Sequence, residues 1–434
     1  MNPTDPFLRT AYSLIINVIL IAMLGFAFWI AAARLLPTAA VGRDSALVSS
    51  MIALSAICQL NLAAGICRFL PVTRLHPGRI LVGVYGVTGV VAALVATGFV
   101  LVAPSVSDNY LFLRDQPWLA VLYVAAVVLW GVFNLQDAAL TALRRAPWIP
   151  VENATFGILK IALLPLLLAV SVSHSVFVSW VIPMVVLLIP MNLLLFLKAI
   201  PKRPPLGEAD SPVQQFGRRG LASFLAQDYL ATIFVQTATM MLPAVVVAVI
   251  GSSGGAQFYI PFLIVSAFDL IFVNVAFAVT LEGAVDASRF PLVVRAAVRR
   301  FAALLAVGMA VMAGGATLIL QAFGASYADT GAPALRLLAC ASLARAILTL
   351  SVAISRVEGR ASKNIMIQGL VLVLVMGLTV VLGREYGVTG VAVGWLIANG
   401  VVACVALPHI IGTLRRGAHL ARGPEELTAM GGHA

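Results

Sequence analysis

Residues 135–153 read LQDAALTALRRAPWIPVEN. An apolar helix carrying Asp137 runs into Arg144 and Arg145, breaks at Pro147 and Pro150, and restarts beyond Asn153. A fainter copy, LSVAISRVEGRASKN, occupies 350–364. An apolar helix that stops on paired arginines reads as a membrane span reaching a charged, non-translocated loop. Its recurrence in the second half of the chain predicts an internal repeat.

Composition agrees with that reading. The chain has 434 residues, is 61% hydrophobic and 10% charged, and has a mean hydropathy of +1.04. A soluble domain carries about 25% charged residues. Apolar runs long enough to span a bilayer, roughly 20 residues each, fill nearly the whole sequence. The expectation is an all-α, polytopic membrane protein.

The net charge of +11 does not point to nucleic acid, whose partners gather Lys and Arg on one folded face. Here the basic residues stand in short gaps between apolar runs. Cys58, Cys67, Cys340 and Cys404 all lie inside expected spans, where thiols act as small apolar fillers. No disulfide and no metal site is expected. The opening run, MNPTDPFLRTAYSLIINVILIAMLGFAFWI, is too long for a signal peptide and lacks a small-residue cleavage site. It is expected to be the first span.

Apolar runs bounded by Pro, Gly and charge predict twelve spans. They fall near 11–33, 45–67, 79–103, 117–143, 150–171, 175–197, 220–249, 256–281, 294–320, 334–355, 363–383 and 387–412. With both termini on one side, twenty-one of the 28 Lys and Arg face that side, and Arg34, Arg43, Arg114 and Arg384 face the other. Both termini are therefore expected in the cytoplasm, with Arg144 and Arg145 as a cytoplasmic anchor.

A proline-rich polar stretch near the middle, KAIPKRPPLGEADSPVQQFGRRG, reads as a linker. The expected organisation is a six-helix bundle over 1–199, a linker over 200–219, a second bundle over 220–412 and a tail over 413–434. VFVSWVI at 176–182 matches VAVGWLI at 391–397, placing Trp180 and Trp395 215 positions apart. Arg145 and Asn153 match Arg356 and Asn364 at an offset of 211. Six spans per half is an even number, so the halves are expected to share one polarity about a pseudo-two-fold axis along the membrane normal, with a substrate path between them. The hexapeptide YGVTGV at 85–90 and 386–391 does not correspond under this repeat and reads as coincidence.

Ionisable groups inside a bilayer cost at least about 2.5 kcal/mol and face a cavity or a partner. Lys160, Asp269 and Arg345 lie near mid-span and are candidates for a water-filled cavity or a buried pair. Asp137 and Asp228 lie nearer the cytoplasmic side; Asp137 could instead pair with Lys160 or a loop arginine as structural glue. Amides such as Asn17, Gln59, Asn61, Gln136, Gln236 and Asn274 suit interhelical hydrogen bonding. No catalytic constellation emerges, so no enzyme activity is expected. GSSGGAQ at 251–257 reads as an exofacial turn, not a phosphate loop, since no Lys-Ser/Thr pair follows. Movement of a cargo must then be driven by an ion gradient, a substrate gradient or downstream synthesis, and no cofactor is expected.

The stretches RLLPTAAVGRDSALVSSMIAL and NLAAGICRFLP, QDAALTALRRAPWIPVEN and YGVTGVAVGWLIA resemble the Wzx-type polysaccharide-biosynthesis flippases. Those proteins belong to the multidrug/oligosaccharidyl-lipid/polysaccharide (MOP) superfamily. The resemblance implies two six-helix bundles around a central cavity, and movement of a polyprenyl-(di)phosphate-linked oligosaccharide to the outer leaflet of a bacterial plasma membrane. Implied partners are that lipid-linked substrate, membrane lipids, and glycosyltransferases or a polysaccharide polymerase; nucleic acid is not among them. By that architecture spans one, two, seven and eight line the cavity, offering Asn17, Arg34, Gln59, Asn61, Arg68, Asp228, Asp269 and Asn274. Asp137, Lys160 and Arg345 join them as candidates by their depth. The alternative is a MATE-like cation-coupled drug or metabolite antiporter. That alternative wants an acidic coupling residue, which the first span lacks and Asp137, Asp228 or Asp269 could replace.

Overall fold

The computed structural model describes residues 6–70, 76–143, 145, 147–200, 218–285 and 290–430. No strand occurs among them. The helices are α1 (Pro6–Leu35), α2 (Thr38–Cys58), α3 (Leu62–Phe69), α4 (Pro77–Val106), α5 (Leu111–Asp115), α6 (Pro117–Ala142), α7 (Trp148–Ala169) and α8 (Ser175–Leu194), then α9 (Arg218–Met240), α10 (Leu242–Val285), α11 (Phe290–Gly314), α12 (Ala316–Gln321), α13 (Ala325–Val357) and α14 (Ala361–Met430).

Each expected span finds a helix. Among the described residues nine helical stretches are long and apolar enough to cross a membrane, and two of these, Tyr229–Thr280 and Ala361–Arg416, are long enough for two crossings each. Both long rods break at one glycine: Gly251 (φ 80°, ψ 171°) in α10 and Gly387 (φ 58°, ψ −137°) in α14. A side chain at positive φ is strained and glycine is not, so one residue turns the chain. The turn expected across 251–257 is thus only Gly251, with helix resuming at once. The second span is also reshaped: α2 stops at Cys58, Leu60 and Asn61 adopt positive φ, and α3 continues. Of the linker expected over 200–219, residues 201–217 lie outside the described residues, and α9 already begins at Arg218.

The chain divides into two compact units. Unit 1 comprises Met1–Tyr229 and Thr239–Ala256; unit 2 comprises Leu230–Ala238 and Gln257–Ala434. In unit 1, α2 is the central stave, packed on α4, α6 and α8. Its small residues Ser45, Ala46, Ser49, Ser50 and Ala53 are all buried, and they let backbones approach closely. Ser45, Ser49 and Ser50 return their hydroxyl protons to carbonyls one turn back, leaving no polar group stranded. Gly42 is the closest approach: a Cβ there would sit 1.7 Å from the Ser252 carbonyl oxygen.

Asp44, in the VGRDSAL stretch, fixes α8 from 132 residues away. Its Oδ2 accepts from the Val176 and Phe177 N–H groups at 3.0 and 3.3 Å, and Oδ1 accepts from His174 Nδ1 at 2.7 Å. The opening N–H groups of a helix lack internal partners, and a carboxylate there also complements the helix dipole.

The turns that open the two sequence repeats carry the same hydrogen bonds. Between α6 and α7, Leu143 N–H reaches Ala139, Arg145 N–H reaches Leu140 and Trp148 N–H reaches Arg145. Between α13 and α14, Glu358 reaches Ile354, Arg360 reaches Ser355 and Lys363 reaches Arg360. All three bonds correspond at an offset of 215, the offset that relates Trp180 to Trp395. The turns therefore match Arg145 to Arg360, correcting the 211-residue alignment to Arg356. The 215-residue offset holds at this turn as it does between the two tryptophans.

Candidate functional site

A buried polar cluster in unit 1 joins side chains of α6, α7 and α8, with Tyr85 of α4 nearby. Asp137 and Gln136 are consecutive on α6; Glu152 and Asn153 are consecutive on α7. Gln136 Nε2 donates to Glu152 Oε1 at 2.5 Å, and Asn192 Nδ2, on α8, donates to Gln136 Oε1 at 2.6 Å. Asn153 donates to Asp137, so two side-chain bonds cross between α6 and α7 in opposite directions. Asp137 and Glu152 stand within electrostatic reach of each other, and Tyr85 of α4 lies near both. Gln136, Glu152 and Asn153 are buried, and the same helices contribute Leu135, Ala139, Ile149 and Met191 to one buried hydrophobic cluster.

Two carboxylates in such surroundings are costly unless neutralised. No ion pair to either occurs among the described residues, and Asp137 Oδ1, Glu152 Oε2 and Tyr85 Oη are buried without a hydrogen-bond partner there. The backbone just after Asn192 leaves α-helical register: Leu195–Ala199 is a π-helical turn, closed by Ile200 N–H to Leu195 O at 3.0 Å. Such insertions concentrate at functional sites because they re-aim neighbouring side chains. This cluster has the chemistry to take up a proton or a monovalent cation.

Lys160, two turns further along α7, does not pair with Asp137 as one expectation had it. Its ammonium sits 4.0, 5.0 and 5.2 Å from the ring centroids of Trp180, Phe28 and Phe156. The reason is position: Asp137 is bonded to Asn153 near the start of α7, while Lys160 lies eight residues beyond Glu152, opposite the aromatic faces of α1 and α8. In unit 2, Arg345 Nε lies 3.6 Å from Asp269 Oδ2, and its Cζ lies 5.4 Å from the Trp395 ring. The two repeat-related tryptophans thus each carry a cation, from different helices. At the 215 offset Arg345 corresponds to Trp130, and Asp137 to Val352, so the carboxylate cluster belongs to unit 1 alone.

The other candidates scatter. Gln59 and Asn61 form the break between α2 and α3, both half-buried. Arg34 is exposed at the end of α1. Asn274 is exposed and bonds its own helix through Leu270 O at 2.9 Å. The side chains of Asn17, Arg68 and Asp228 lie outside the described residues. Sequence reasoning missed Glu152, Asn192 and Tyr85. Glu152 could have been found from its neighbour Asn153, in the opening turns of the helix that follows Pro147; nothing local marks the other two. Among the described residues no group of three or more His, Cys, Asp and Glu is placed to hold a metal ion. A cavity of about 240 Å³ in unit 2, bounded by residues such as Phe272, Phe301, Leu350 and Leu414, presents almost entirely hydrocarbon.

No family model and no curated protein matches the chain. Solved structures do. An inward-facing multidrug resistance MATE family transporter of the MOP superfamily superposes with a TM-score of 0.64 at 18% identity, covering 95% of this chain and 99% of that one. A MATE protein in complex with MaL6 gives 0.62 at 17%, covering 97% and 98%. A MOP superfamily transporter from Pyrococcus furiosus, for which reversed polarity of the binding pocket suggests a different function, gives 0.61 at 16%, covering 97% of each chain. Over essentially its full length, this chain has the fold of the MOP superfamily transporters.

Proposed function

We propose that this chain is a multi-pass membrane transporter of the MATE-like, cation-coupled antiporter type, working by alternating access. The observation that carries the reading is the buried Asp137–Glu152 cluster, two carboxylates without a cation among the described residues and with two unsatisfied oxygens. Burying such a pair is unfavourable in the ion-free state, so a proton or monovalent cation arriving there gains much of what burial cost. Binding that differs between two states of the protein couples the ion to the conformational change. The amides Gln136, Asn153 and Asn192 hold the carboxylates and add no charge.

A second reading, a flippase for polyprenyl-(di)phosphate-linked oligosaccharide, is supported by the quoted motifs. Its cation set is less well supported: Lys160 is enclosed by rings and Arg345 is engaged by Asp269, so neither stands ready for a diphosphate.

Reconstitution in proteoliposomes separates the two. With an imposed proton or sodium gradient, the antiporter reading expects gradient-driven efflux of an organic-cation dye, abolished in Glu152→Gln. Gradient-independent loss of a fluorescent polyprenyl-linked glycan from the reductant-accessible leaflet, with no dye movement, would overturn it in favour of the flippase. Plasma-membrane location with both termini cytoplasmic belongs to the same proposal; a terminal reporter fusion active only outside the cytoplasm would refute it.

A further inference from the structure

The aromatic enclosure of Lys160 is not explained by the coupling cluster. Its three rings come from three helices: Phe28 on α1, Phe156 on α7 and Trp180 on α8. Trp180 meets Phe28 and Phe156 edge-on, at interplanar angles of 75° and 81° with centroids 6.1 and 5.7 Å apart. Near-perpendicular walls around one point form a box. Trp130 and Phe133 brace it from α6, with Trp130 at 5.9 Å from Phe156 and 5.6 Å from Trp180. Lys160 is 5% exposed, and no ion pair for it occurs among the described residues.

Energetically the box is a poor place to keep a lysine merely for structure. A cation over a ring gains about 0.5–2 kcal/mol, while withdrawing an ammonium from water costs several kcal/mol. An apolar side chain at 160 would pack among these rings at no such cost. Aromatic boxes of this kind recognise ammonium ligands, because ring faces attract the charge without hydrogen bonds. A second observation points to a ligand: the indole Nε1–H of Trp180, 9% exposed, is buried with no acceptor among the described residues. Lys160 supplies the cation but has no acceptor to offer that donor.

We propose that Phe28, Phe156 and Trp180 form a binding site for a small organic ammonium bearing a hydrogen-bond acceptor, and that Lys160 is its tethered occupant, displaced when cargo binds. The assignment rests on the transporter reading for its biological use, but binding itself requires no gradient. Lys160 then sets a threshold: a cargo must out-compete an ammonium held at high effective concentration by its own chain.

The test uses the purified full-length protein, with choline as probe and its uncharged isostere 3,3-dimethylbutan-1-ol as control, read by intrinsic tryptophan fluorescence. Lys160→Ala is expected to bind choline roughly tenfold tighter than the parent, with no response to the neutral alcohol. Lys160→Ala/Trp180→Ala is expected to lose that gain. Equal binding of choline and the alcohol would reduce the box to an apolar cavity, and no binding by a folded Lys160→Ala would overturn the proposal. Should Lys160→Ala fail to fold, the parent decides: choline should raise the rate of reductive methylation at Lys160, and an unchanged rate overturns it. Failure here leaves gradient-driven transport untouched, whereas loss of coupling with intact choline binding would sink the antiporter reading alone.

Discussion

Removing the carboxylate of Asp44 isolates one contact on which the placement of α8 depends. Asp44 is 2% exposed and accepts three bonds, from His174 Nδ1 at 2.7 Å and from the N–H groups of Val176 and Phe177 at 3.0 and 3.3 Å. Asp44→Ala leaves two backbone donors and a ring nitrogen in a dry site, each orphaned donor costing about 1–3 kcal/mol. Summed over the three, the expected loss is at least about 3 kcal/mol. Asp44→Asn is different in kind. Its amide oxygen still accepts from the two N–H groups, and its NH₂ donates to His174 Nδ1 once the imidazole proton moves to Nε2. Every bond survives and only the charge is lost, for about 1–2 kcal/mol. Thermal unfolding in detergent, followed by tryptophan fluorescence, reads both; Trp180 lies five residues into α8 and reports the end being tested. The expected order is parent above Asn above Ala, with the Ala variant clearly lowest. Equal melting of Asn and Ala variants, or an Ala variant as stable as the parent, would refute the capping role.

Further outcomes follow from the same geometry. Glu152→Gln keeps an acceptor for Gln136 and removes a buried charge, so it should raise the melting temperature while abolishing ion-coupled transport; a destabilised variant with coupling intact would contradict the cluster's role. Gly42→Ala places a methyl 1.7 Å from the Ser252 carbonyl, which demands a backbone shift costing about 1–3 kcal/mol; wild-type melting behaviour would show that α2 yields freely. Asp269→Ala alone strands Arg345 and should destabilise more than Asp269→Ala/Arg345→Ala, a double-mutant cycle that fails if the losses simply add. Tyr123→Phe removes the hydroxyl that donates to Ser50 at 2.7 Å and should cost about 1 kcal/mol, visible as a small, transport-neutral drop in melting temperature.

Helix number and the repeat were legible from the chain because a bilayer permits few solutions. A span must be apolar, about 20 residues long and internally hydrogen-bonded, so hydropathy and the placing of Pro, Gly and Arg nearly dictate twelve helices. The repeated tryptophans Trp180 and Trp395 marked the correct register. The 211-residue alignment of Arg145 with Arg356 failed because one arginine in a loop carries little positional information, whereas backbone hydrogen bonds match only in one register. What the sequence could not supply was partnership. Asp137 could have paired with Lys160 or with a loop arginine; the tertiary structure bonds it to Asn153 near Glu152 and encloses Lys160 in rings. Spacing along a helix defines a face, but only the packing of α1, α4, α6, α7 and α8 decides which face meets it. Glu152 stayed invisible for the same reason: a carboxylate beside a helix start reads as solvated until the fold is seen to leave it only 2% exposed. Burial is a property of neighbours brought from far along the chain, and it alone turned an ordinary glutamate into half of a candidate ion site.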